Sequence, residues 1–61
     1  MKLTKDDKLL RKKINKLHMD MFLVAYEMEH FGDDETKAHA EELYNASEIC
    51  KEWSENARVK R

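Results

Sequence analysis

Proline is absent from this chain, glycine and cysteine occur once each, and only 8% of its 61 residues are aromatic. Each shortage excludes something. Without proline nothing in the sequence forces a helix to kink, and the one strong punctuation is Gly32-Asp33-Asp34, near the midpoint. A lone Cys50 closes no intrachain disulfide, which points to a reducing compartment. One glycine is too few for a phosphate-cradling loop or a nucleophile elbow, and no Cys–His arrangement for catalysis can be written. No apolar run approaches the ~18 residues of a membrane span. The segment MKLTKDDKLLRKK lacks the apolar stretch of a signal peptide. These absences predict a cytoplasmic, non-enzymatic chain with no cofactor, no small-molecule substrate and no membrane association. They also predict a single domain, residues 1–61. Its length falls below the roughly 70–80 residues at which one core holds a fold comfortably. With no disulfide available, another subunit is the expected staple.

What is present is helical. Hydrophobic and charged residues each make up 41% of the chain, and Lys, Glu, Leu, Met and Ala dominate. Thr4 followed by Asp6 and Asp7 predicts an N-cap with acids in the first turn, facing the positive end of the helix dipole. Gly32 suits the left-handed position after a helix. Asp33 or Asp34 then caps a second helix, which Arg58, Lys60 and Arg61 would close with cations. The expected fold is all-α: helix one about 4–31, a turn at 32–34 and helix two about 35–58, forming an antiparallel two-helix hairpin. In helix one Leu3, Leu10, Ile14, Leu17, Met21, Val24, Met28 and Phe31 form a heptad seam of a and d positions, interrupted by Asp7. That interruption predicts fraying of the first turns. Leu43, Ala46, Cys50, Trp53 and Ala57 continue the seam in helix two, with His39 before them and Ile49 beside them.

Met19, Phe22, Leu23 and Tyr26 occupy the remaining side of helix one, nearly opposite the seam at about 100° per residue. One partner helix cannot cover both sides. The expectation is therefore a homodimer, giving a four-helix bundle, or a docking face for a different protein. The roles of the two faces can also be exchanged, with the a/d seam between hairpins. Charge is segregated as well. Residues 1–18 carry a net +5, residues 19–48 a net −8 and residues 49–61 a net +2. Folding the hairpin gathers Lys8, Arg11, Lys12, Lys13, Lys16, Arg58, Lys60 and Arg61 at the open end, a candidate phosphate-binding cluster, and the acids at the turn. Glu27-Met28-Glu29-His30 has the Glu-x-x-His spacing of di-iron bundles, but Val24, Met28 and Phe31 around it supply no further carboxylates, so no metal is expected.

The length, the single central turn and the two heptad helices, together with His39-Ala40-Glu41-Glu42-Leu43-Tyr44, resemble the plasmid-encoded Rop proteins. That resemblance implies a dimer of hairpins that binds paired RNA loops, and no functional residue is carried over from it. The function expected from the residues is a small regulator or inhibitor of the kind phages and plasmids encode. It would act on a protein partner as a hairpin dimer through Met19, Phe22, Leu23 and Tyr26. Nucleic-acid backbone binding at the basic end is the second reading, and a metal-binding helical protein the third.

Overall fold

The computed structural model describes residues 2–60, which form two helices, α1 (Lys5–Phe31) and α2 (Asp34–Asn56), packed as an antiparallel hairpin. The rod measures 46 × 13 × 13 Å. Helix α1 starts at Thr4 because the capping box closes there: the Asp7 N–H donates to Thr4 Oγ1 (3.1 Å), and the Thr4 N–H donates to Asp7 Oδ2 (3.0 Å). Asp33 caps α2 by accepting the Thr36 N–H at 2.9 Å. That bond holds the Asp33 carboxyl below its ordinary value. A depressed carboxylate stabilises the fold above its unfolded value and loses that contribution as pH falls through the folded one. Thermal melts below about pH 4 are therefore expected to fall more steeply for the wild type than for Asp33→Asn, whose amide caps without titrating.

Gly32 departs from expectation. Its φ of −79° and ψ of 163° are extended, and no described residue has a positive φ. The turn needs glycine for space. A Cβ there would sit 2.5 Å from the Met28 carbonyl oxygen and 2.6 Å from Thr36 Cγ2, because the first turn of α2 folds directly over the end of α1. Gly32→Ala would recover about 0.4–1 kcal/mol of unfolded-state entropy. The clash with a backbone carbonyl outweighs that gain, and a net loss of about 1–2 kcal/mol is expected in urea titration.

The seam between the helices is turned relative to the a/d stripe. Its fully buried residues are Asp7 and Ala25 on α1, and Ala40, Ser47 and Cys50 on α2. Leu10, Ile14, His18, Met21 and Met28 flank them, half-buried. Small side chains hold the center because they let two backbones run close enough for cross-helix bonds. His18 Nδ1 meets the Ser47 carbonyl at 2.9 Å, and Cys50 Sγ donates to the Ile14 carbonyl at 3.6 Å. Three d positions of α1 are left outside: Leu17 is 53% exposed, Val24 48% and Phe31 80%. Trp53 and Ile49, expected in and beside the core, are also half exposed.

The open end is tied rather than frayed. Helix α2 stops at Asn56, and residues 57–60 run back along α1. The Val59 N–H donates to Asp7 Oδ1 (2.9 Å), and Arg11 Nε donates to the Ala57 carbonyl (2.8 Å). Asp7 is fully buried and joins the cap of α1 to this tail. The interruption in the heptad is thus a structural anchor. The last turn of α2 carries no basic residue, since Arg58 and Lys60 lie beyond the helix in the tail.

Candidate interaction surface

The turned seam leaves the hairpin with an apolar flank on each side. In α1, residues three and four apart are neighbours. Leu17 and Val24 therefore sit beside Ile14, Met21 and Met28, whereas Phe22 sits beside His18 and Ala25, on the other side of the seam. Cross-helix contacts extend both flanks onto α2. On the Leu17 side, one groove joins Ile14 to Trp53, Asn56 and Ala57, and another joins Met28 to His39, Glu42, Leu43 and Ala46. On the Phe22 side, the Phe22 and Tyr44 rings meet edge to face, with centroids 5.4 Å apart.

The Phe22 face contains the whole patch Met19, Phe22, Leu23 and Tyr26, each about half exposed. His18, Met19, Phe22 and Leu23 line a shallow hollow there. Tyr26 packs against the His30 ring at 4.2 Å, and His30 Nε2 lies 3.4 Å from Glu29. Desolvation beneath Phe22, with the Glu29 carboxylate and Tyr26 adding to it, raises the Tyr44 hydroxyl above its ordinary value. No local pattern places Tyr44 on one surface with Phe22. That placement follows only from the register of the two helices.

At the other end, the Asp7–Val59 and Arg11–Ala57 bonds hold the tail against the start of α1. They bring Arg58 and Lys60 to the end of the rod that carries Lys8, Arg11 and Lys12. Arg61 lies outside the described residues. Lys13 and Lys16 lie further along α1, where their stems join Leu9, Lys12, Asn15 and Met19 in lining an open hollow, and Lys16 pairs with Asp20 at 3.8 Å. That pair is exposed and worth little. Arg11 is half-buried and carries a structural bond as well as its charge.

Among the described residues no group of three or more His, Cys, Asp or Glu side chains is placed to hold a metal ion, and no helix is long and apolar enough to cross a membrane. His39 pairs with Glu42 at 3.6 Å across one turn of α2. Comparison with known protein families, curated proteins and solved structures returned no match.

Proposed function

We propose that this chain is a non-enzymatic regulator that works by binding a protein partner as a dimer of helical hairpins. The observation that carries this reading is the pair of apolar flanks on a hairpin whose fully buried hydrophobic residues are Ala25, Ala40 and Cys50. Burial of that size stabilises a fold weakly, and exposed Phe, Trp, Leu and Met side chains in contiguous patches mark interfaces. Two flanks give two separate surfaces, one for a second hairpin and one for another protein. The second is Met19, Phe22, Leu23 and Tyr26, an aromatic and thioether surface suited to an apolar groove or helix.

The test is affinity capture from extract of the source cells with three baits. They are the wild type, the double variant Phe22→Ala/Tyr26→Ala, and a variant with Lys12, Lys13 and Lys16 changed to Glu. A protein retained by the wild type and the charge variant but lost from the double variant is the expected result. Equal retention on all three, with helicity intact, overturns the assignment of the patch.

The clustering of cations from both chain ends favours a second reading, binding of nucleic-acid backbone at the open end. It requires affinity for duplex RNA or DNA that falls steeply with salt. A flat salt response, or no binding at low salt, removes it.

A further inference from the structure

We propose that a second copy of this chain packs on the face formed by Leu17, Val24 and Phe31 of α1 with Ile49 and Trp53 of α2, its ends reversed so that each turn lies over the other's open end. The proposal rests on the dimer reading above and deepens it, choosing between two flanks and two orientations.

Extent selects the flank. The Phe22 patch covers Met19 to Tyr26, about 10 Å of helix, whereas the Leu17 face runs from Leu10 to Phe31, about 31 Å. Both flanks reach α2, but here α2 adds the exposed Trp53 and Ile49, beside the grooves that join Ile14 to Trp53 and Met28 to Leu43, whereas the Phe22 flank gains only the half-buried Tyr44. It also holds the most exposed large apolar side chain described, Phe31 at 80%.

Area agrees. The hairpin exposes 5174 Å². A folded monomer of 7.3 kDa is expected to expose about 4,200 Å². The excess, roughly 1,000 Å², is close to the ~800 Å² that each partner buries in a standard protein interface.

Charge selects the orientation. A two-fold axis lying in the face and perpendicular to the rod stacks each helix on its own copy, running the other way. Lys13 borders the face near the open end, and Asp20 and Glu27 border it toward the turn, each three or four residues from Leu17 or Val24. Reversal brings Lys13 alongside Asp20 and Glu27 of the second copy. An axis along the rod would instead place the acidic turn ends together, Glu27 of one copy near Glu35 and Glu42 of the other. That juxtaposition is repulsive. The reversed arrangement leaves both Phe22 faces on the outside of the bundle.

Sedimentation equilibrium tests the face. The wild type is expected at twice the 7.3 kDa of one chain. Leu17→Lys and Trp53→Glu, both at positions exposed in the single hairpin, are expected to weaken association about 30-fold or more while helicity by circular dichroism is kept. Leu23→Lys, on the other flank, is expected to leave it unchanged. A wild-type dimer that Leu23→Lys dissociates, and that Leu17→Lys and Trp53→Glu do not, overturns the inference and leaves the dimer reading standing. A monomeric wild type overturns both. Spin labels on Asp34→Cys test orientation, since Asp34 lies at the turn and Cys50 is buried. Reversed copies place the labels about 40 Å apart, most of the 46 Å rod. A distance within about 25 Å, two rod widths, overturns the reversal.

Discussion

Replacing Asp7 with alanine is expected to destabilise the hairpin by about 3–4 kcal/mol, the largest effect of any single side chain here. Its carboxylate accepts the Thr4 N–H on one oxygen and the Val59 N–H on the other, in a site closed to water. A hydrogen bond to a charged group contributes about 1.5–3 kcal/mol, and alanine leaves both donors without that acceptor. A chain of this length has a total stability of only roughly 3–9 kcal/mol. The loss should therefore bring much of the population to the unfolded state, seen as a large drop in urea midpoint at fixed protein concentration. Asp7→Asn keeps the shape and one acceptor oxygen, so about half the loss is expected. A second readout separates anchoring from general stability. With the tail released, trypsin should cut at Arg58 faster in Asp7→Asn than in a variant of matched stability such as Gly32→Ala. Equal cutting would show that Asp7 does not hold the tail.

Enlarging the seam is expected to act almost as strongly. Ala25 is fully buried between the helices, and Ala25→Leu adds three carbons where no space exists. Overpacking of this kind costs about 1–3 kcal/mol. The upper end is expected here, since a rod two helices wide can relieve the clash only by moving them apart. That motion stretches the bonds from His18 to the Ser47 carbonyl and from Cys50 to the Ile14 carbonyl. Urea titration should show the loss, and a shifted His18 imidazole resonance should report its changed contact. By contrast, Leu23→Ala, at an exposed position, is expected to stay within about 0.5 kcal/mol. If Ala25→Leu were neutral and Leu23→Ala costly, the seam would have to lie elsewhere.

The two variants test different properties of one arrangement. Asp7 fixes where the chain ends meet, and the small residues fix how closely the helices run. Both leave the large apolar side chains for the outside. In an ordinary globular domain Leu17, Val24, Phe31, Ile49 and Trp53 would be core. Here they border a rod and stand about half exposed or more in the single hairpin.

Local sequence specified the two helices, their caps and the turn. Those depend on neighbours a few residues apart: Thr4 with Asp7, Asp33 with Thr36, and Gly32 beneath Thr36. It also determined the apolar periodicity and the segregation of charge along the rod. Which stripe faces inward is set by how the two helices pack. Leu17 and Ala25 are both apolar, and hydrophobicity alone favours burying the larger. Close approach of two backbones favours the smaller, because the cross-helix bonds of His18 and Cys50 form only at short range. The heptad pattern marks an apolar stripe without saying whether it belongs between the helices of one chain or between chains. Asp7 was legible as an acid of the first turn and as an interruption. Its role as anchor depends on Val59, 52 residues away, a distance that local pattern cannot span.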